Sequence, residues 1–269
     1  PLTELAATIS EHLGWYTAAG TCKVDACLKL LRKLEAAGVV KLPEKQKVRG
    51  RKAPVLRIAV TARTDPQPEI VGPLKELGDI KLEVVREKED RQLWNEYVER
   101  YHPLGYRQPF GYRLRYFISF KRGRLGCLLF SGPAKALRAR DRWIGWTEEQ
   151  RLKNLAWVIN NSRFLVFPWV MVKNFSSHVL AKLARRIEED WQWYWGYGPV
   201  LMETFVDPLY EGNCYKAAGW KYLGMTTGEG LVREGKTYAT RPKKIFVKPL
   251  AKNFHALLCS EQLGGEAEL

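Results

Sequence analysis

The side chains with the most reactive potential in this 269-residue chain lie between Pro199 and Gly224, in PVLMETFVDPLYEGNCYKAAGWKYLG. Glu203 sits inside an apolar and β-branched run, Val200, Leu201, Thr204, Phe205 and Val206, which reads as a buried strand ended by Asp207-Pro208. A carboxylate there is costly unless a partner or a catalytic role offsets its desolvation. Should Glu203, Asp207, Asp141, His102 and His178 converge, acid–base chemistry becomes available. Glu203, Asp207 and Asp141 could also hold a divalent metal through oxygen ligands, the arrangement that supports phosphodiester cleavage or strand transfer. Tyr215 offers a covalent route by attack on phosphorus, with Arg163 or Arg142 stabilising the charge, and Cys214 is a candidate thiol nucleophile. Each has a plainer role to set beside this: Asp207 as a turn residue, His178 as a core histidine, Cys214 as packing.

The charge balance indicates what such groups would act on. Forty-four Lys and Arg against 29 Asp and Glu give +15 and a pI near 9.6, which selects a polyanionic partner, with DNA first among them. A hydrophobic fraction of 46% with ten Trp excludes a disordered chain. No apolar run approaches the length of a membrane-spanning helix, so no membrane association is expected. The five cysteines are scattered, without a CxxC pair, and point to reduced thiols and a cytoplasmic location. The four histidines show neither HxxxH nor HExxH spacing, which excludes a classical zinc site.

Two helices open the chain. Leu2, Leu5, Ile9 and Leu13 share one helical face, and Val24, Cys27, Leu28, Leu31 and Leu34 recur at helical spacing up to Gly38. Val39 to Pro43 reads as a strand. From Lys41 to Arg63 there are eight basic residues against one acidic, Glu44. This order resembles a winged helix-turn-helix whose wing tip is Gln46 to Ala53, with Lys45, Lys47, Arg49, Arg51 and Lys52 on phosphates. Three prolines in Thr64 to Pro73 mark a linker, giving a nucleic-acid-binding domain over 1–63, a linker over 64–75, a larger domain over 76–259 and a disordered tail over 260–269.

In the larger domain, strands are expected at Ile80 to Val85, Leu114 to Phe120, Leu125 to Phe130, Arg163 to Val172 with an interruption at Pro168, Val200 to Val206, Tyr222 to Thr227 and Lys244 to Val247. Helices are expected at Asp90 to Arg100, Arg151 to Val158, a long one from Asn174 to Trp191, and a short one at Asn213 to Ala218. Asn160, Asn161 and Ser162 read as a cap or turn. Between Arg100 and Lys153, thirteen basic residues face three acidic ones. Arg113, Arg115, Arg138, Arg140, Arg142 and Arg163, with Trp143 and Trp146 among them, form the mixture that follows a phosphate backbone and stacks bases.

The order of these elements, with NCYKAAGWKYLG, resembles the acetyltransferase fold of the GNAT superfamily, an α/β (α+β) architecture with a mixed sheet. That resemblance implies a general-acid role for Tyr215 and allows Glu203 as a base on the neighbouring strand. The superfamily's glycine-rich pyrophosphate loop is replaced here by VKNFSSHVL, which counts against coenzyme A. A longer series, HPLG, LRYFIS, LGCLLFSG, RDRWIGW, NLAWVINNSRFLVFPWV, NFSSHVL, ETFVDP and GNCYKAAGW, is similar to the DruA family of the Druantia anti-phage system, whose relatives are transposase-associated. It implies DNA-linked work in phage defence or mobile elements. Three functions follow as expectations: DNA binding with strand cleavage or transfer, acyl transfer to a nucleic acid or amine, and non-catalytic adaptation to DNA.

Overall fold

The computed structural model describes residues 2–42, 58–109, 111–228 and 240–261. The chain divides into two compact units, Pro1–Arg57 and Ile58–Leu269. Among the described residues no helix is long and apolar enough to cross a membrane.

In the first unit, Leu2–His12 (α1) and Val24–Ala36 (α2) pack around Ala6, Cys27 and Leu31. Both helices match the sequence periodicity, but α1 buries Ala6 and Ser10, while Leu5 and Leu13 are 40% and 61% exposed. Small side chains at the contact let the two helix backbones approach. Val39 to Leu42 is not a strand: the Val39 N–H donates to the Leu34 carbonyl and the Leu42 N–H to the Glu35 carboxylate, so the backbone closes onto the end of α2. The expected wing, with Lys45, Lys47, Arg49, Arg51 and Lys52, lies outside the described residues.

The second unit is built on a seven-stranded mixed sheet, the α/β class expected from sequence. Its strands are Lys81–Val84 (β2), Arg113–Phe120 (β3), Gly123–Ser131 (β4), Val158–Val166 (β5), Leu201–Val206 (β7), Lys221–Met225 (β8) and Lys244–Pro249 (β9), in the order β2-β3-β4-β5-β7-β9-β8. Ile70–Gly72 (β1) and Val170–Val172 (β6) form a separate parallel pair, so the prolines expected to mark a linker flank a strand. The helices are Lys88–Tyr101 (α3), Arg138–Ile144 (α4), Glu148–Asn154 (α5), Phe175–Ala184 (α6), Ile187–Trp195 (α7), Asn213–Ala217 (α8) and Phe254–Leu258 (α9).

Alternation along the strands sorts these helices onto two faces. Leu201, Ile245 and Val247 point to one face, where Leu137, Ile144, Trp146, Phe254 and Leu258 complete a core with α4 and α9. Phe246 and Thr204, register partners, point to the other, which α8 covers with Tyr215. The long helix expected from Asn174 is two. Val179, Leu180, Leu183 and Ile187 are all fully buried, but the chain breaks at Arg185-Arg186, where Arg186 donates to the Leu82 carbonyl and pairs with Asp190. Glu188, Glu189 and Asp190 then favour a fresh helix N-terminus.

Among the described residues β5 and β7 are the one parallel pair in the large sheet, and they stay together for three residues: Val158↔Leu201, Ile159↔Met202 and Asn160↔Glu203. Beyond this point β5 follows β4 and β7 follows β9, so the sheet forks. The fork begins at Asn160 rather than at Pro168, which lies after β5. Asn160, Asn161 and Ser162 are strand residues, not a turn. Leu129 pairs with Arg163 and Phe130 with Asn161, which leaves Ser162 as a β-bulge on the fork's inner edge.

Candidate functional site

Three groupings of reactive side chains surround the fork. The first is Glu203, whose side chain is completely buried with that of Arg140. Its Oε2 accepts from Arg140 Nη1 at 2.7 Å and its Oε1 from the Ala134 N–H at 2.7 Å. The same guanidinium donates to the Ala134 carbonyl at 2.9 Å and, through Nε and Nη2, to Asp141 Oδ1 at 2.9 and 2.8 Å. Asp141 also accepts from the Leu137 N–H at 2.9 Å and from Trp146 Nε1 at 3.2 Å. Burial pushes the Glu203 carboxyl up, while Arg140 and the Ala134 N–H pull it back, leaving it raised from its ordinary value. Every member has its partners, and the network ties the loop before α4 to the centre of the sheet.

The second grouping closes the fork on the opposite face. Gly212, with φ +68°, admits the Phe246 ring so closely that an added Cβ would lie 2.6 Å from it. That turn launches α8 and sets Tyr215 against Phe246, ring centroids 5.8 Å apart. The Tyr215 hydroxyl donates to Asn161 Oδ1 at 2.9 Å, and Thr204 Oγ1 donates to the Asn161 carbonyl at 2.9 Å. Asn161 Nδ2 in turn donates to the Leu129 and Arg163 carbonyls at 3.2 and 3.0 Å, spanning the bulge. Burial raises the Tyr215 pKa, so the phenol keeps its proton. Asn160 Oδ1 and Ser162 Oγ are buried nearby without a hydrogen-bond partner.

Glu203 and Tyr215 therefore do not meet. Glu203 pairs in register with Val247 and Thr204 with Phe246, so the carboxylate and the phenol lie on opposite faces of the sheet. Asp207 accepts from the Leu209 N–H at 3.0 Å, closing a turn. His178 is exposed on α6. Burial raises the Cys214 thiol, which disfavours the thiolate. Among the described residues no three His, Cys, Asp or Glu side chains gather as metal ligands. The loop before α6 carries Asn174 at φ 63°, Phe175 is buried, and Ser177 Oγ donates to the Asn174 carbonyl at 3.0 Å.

The third grouping is cationic. Arg163 lies across β4 from Arg115 through Leu129, and its Nε donates to the Gly105 carbonyl at 3.1 Å. Arg107 is close enough to lower the Arg163 pKa, although desolvation is the larger cause. Arg115, 8% exposed, is lowered in the same way by desolvation first, then by Arg113 and Arg91. None of these five arginines makes an ion pair among the described residues, whereas Arg100, Arg124, Arg151 and Arg186 all do. Around segment 102–112, which joins α3 to β3 and itself carries Arg107, these five cations stand without a carboxylate partner among the described residues.

Sequence placed Arg113, Arg115 and Arg163 in a nucleic-acid-binding set, and all three belong to this row. Arg140 has no exposed side-chain surface, and Trp146 is buried with its N–H on Asp141. Trp143 stacks on Phe254 at 4.8 Å. Arg138 and Arg142 are exposed on α4. Arg107 and Arg91 were not singled out, although Arg107 is one more cation in the basic segment already recognised.

His102 adjoins this row. Burial first, and Arg163 second, bring its pKa down to about 4, and its Nδ1 accepts from the Leu104 N–H at 3.1 Å. The unfolded chain binds this proton near pH 6.5 and the folded chain near 4, so the folded state loses stability as pH falls across that interval. The loss is expected to be about 1–2 kcal/mol once solvent at the ring's open side is allowed for, and His102→Gln should flatten it in urea denaturation at a series of pH values. Glu203→Gln and Arg140→Met are each expected to lower the unfolding free energy by about 3–5 kcal/mol, because each strands a buried group. The double variant should lose less than the sum, and a Glu203→Gln variant as stable as wild type would mean the carboxylate is not held by this pair.

No curated protein matches the chain in sequence. Among solved structures it is similar to a spermidine N-acetyltransferase from Vibrio cholerae in complex with CoA and spermine, at 9% identity over 64% of this chain and 96% of that one, with a TM-score of 0.42. It is also similar to the aminoglycoside acetyltransferase AAC(6')-Ib in complex with coenzyme A and kanamycin, at 14% identity over 65% and 96% of the two chains, with a TM-score of 0.42. The family model described as Druantia protein DruA matches residues 33–238, more than half of the chain and including Glu203, Arg140, Asp141, Tyr215 and the five arginines. The chain belongs to the DruA family.

Proposed function

We propose that this chain is a DNA-binding protein of the phage-defence and mobile-element kind, and that it grips the phosphate backbone through the row of arginines about segment 102–112. The observation that carries this is the uncompensated row itself: Arg91, Arg107, Arg113, Arg115 and Arg163 depress or adjoin one another with no acidic partner among the described residues. Holding like charges together costs free energy in the free protein, and a polyanion recovers it while releasing its counterions. DruA family membership agrees with DNA-linked work. Strand cleavage or transfer through a metal or general base would need a free carboxylate, and Glu203 and Asp141 are both engaged by Arg140, while attack by Tyr215 would need its phenol to lose a proton that burial holds on. Binding is therefore the activity put forward.

Acyl transfer is the second reading. The fork with its bulge, the protonated Tyr215 and the unpartnered Asn160 Oδ1 and Ser162 Oγ favour it, and the side-chain-filled loop before α6 counts against it. Calorimetry with acetyl coenzyme A separates the two: the DNA-binding reading expects no heat of binding.

Filter binding of duplex DNA across a salt series tests the first reading. Affinity should fall steeply with salt, and Arg107→Gln and Arg113→Gln should each weaken binding to every sequence alike and reduce the log–log slope by about one. DNA affinity that is absent, or flat against salt, would end the proposal.

A further inference from the structure

The free edge of β3 holds a cavity of about 330 Å³. β2 has four residues and pairs with β3 from Tyr116 to Ser119, so Arg113 and Leu114 run past it without a strand partner on that side. Arg113 and Arg115 from β3, Arg91 and Asn95 from α3, Tyr106 from the following segment and Trp195 at the end of α7 line the opening.

Three polar atoms of this lining are buried without a partner: Arg115 Nε, Trp195 Nε1 and Asn95 Oδ1. Two are donors and one is an acceptor. Arg115 is held in place, its Nη2 donating to the Tyr106 hydroxyl at 2.8 Å and its guanidinium 5.3 Å from the centroid of the Trp94 ring. Each orphaned group is unfavourable while it stays unpaired and lies just beneath the accessible surface, so a ligand that meets all three through a small shift of the lining recovers that cost. A simple anion would satisfy the donors and leave Asn95 unused. An apolar ligand would satisfy none of them. The chemistry that fits is an anion joined to a flat group whose edge both accepts and donates, which is the composition of a nucleotide. The volume lies within the range of small-ligand pockets, and Tyr106 and Trp195 supply aromatic walls.

We propose that this cavity binds a nucleotide unit, with its phosphate on Arg91 and Arg113 and its base edge meeting the free donors of Arg115 and Trp195 and the free acceptor of Asn95. The proposal rests on the polyanion reading for its charge, and on the three orphaned atoms for its specificity. The nucleotide is either a free one or the terminal one of a strand.

Calorimetry on the full chain decides it, with AMP, adenosine, inorganic phosphate, and single-stranded oligonucleotides carrying a 5′-phosphate or a 5′-hydroxyl as probes. AMP or the 5′-phosphorylated strand should bind at least about tenfold more tightly than adenosine or phosphate. Preference for the phosphorylated strand over AMP assigns the site to strand ends, and the reverse assigns it to free nucleotides. Trp195→Phe, which removes the N–H and keeps a ring, and Asn95→Leu, which removes the acceptor at similar volume, should each weaken the preferred probe about fivefold or more without changing the thermal melt. Duplex affinity of Trp195→Phe should equal wild type. The proposal is overturned by absence of binding to both AMP and the phosphorylated strand, by equal affinity for AMP and phosphate, or by wild-type affinity in both variants. Loss of duplex binding with AMP binding intact would remove the polyanion reading and leave this site standing.

Discussion

Glu203 and Arg140 are taken out of water together, and much of the second unit is arranged around keeping them satisfied. A carboxylate at the centre of a seven-stranded sheet needs its charge answered within hydrogen-bond distance, and a guanidinium with five N–H groups needs acceptors for all of them. Asp141, the Ala134 carbonyl and Glu203 together accept four hydrogen bonds from that guanidinium. The loop from Ser131 to Leu137 is thereby pinned across the sheet at the level where β5 and β7 part. Such a pair adds little net stability over an apolar replacement, but it makes one arrangement of loop, α4 and strand far better than any other.

That constraint also decides what the neighbouring groups can do. With Glu203 and Asp141 committed to Arg140, the described residues of the fork keep no free carboxylate from this set, and Tyr215 on the other face is held by Asn161. The cations outside the network bond to neutral oxygens and not to carboxylates: Arg163 to the Gly105 carbonyl and Arg115 to the Tyr106 hydroxyl. Arg107 adjoins Arg163 and Arg113 adjoins Arg115, and their unanswered charge is what a phosphate backbone would answer.

The strands were legible because apolar and β-branched runs alternate or saturate over the right lengths, and Glu203 stood out because a carboxylate interrupts one of them. Its partner was not legible. Arg140 is 63 residues away and sits in a segment so basic that it read, with Arg138 and Arg142, as a phosphate contact. The Asn160-Asn161-Ser162 triplet was misread because these residues favour turns when their side chains bond their own backbone. Here Asn161 uses the same capacity across a bulge, to Leu129 and Arg163. The break after α6 escaped notice because the apolar period of Val179, Leu180, Leu183 and Ile187 runs straight through it. The side-chain demands of Arg186, met by Leu82 and Asp190 from elsewhere, cause it.

Labour is divided: the Glu203–Arg140–Asp141 network holds the fold, and on the proposed DNA-binding reading the arginines around segment 102–112 would meet the nucleic acid. Amide hydrogen exchange of the full chain with and without duplex DNA separates the two directly. Protection on DNA binding is expected across residues 102–109 and the first residues of β3, with no change in the loop from Gly132 to Leu137. Protection centred on that loop and on β7, with segment 102–109 unaltered, would contradict the account.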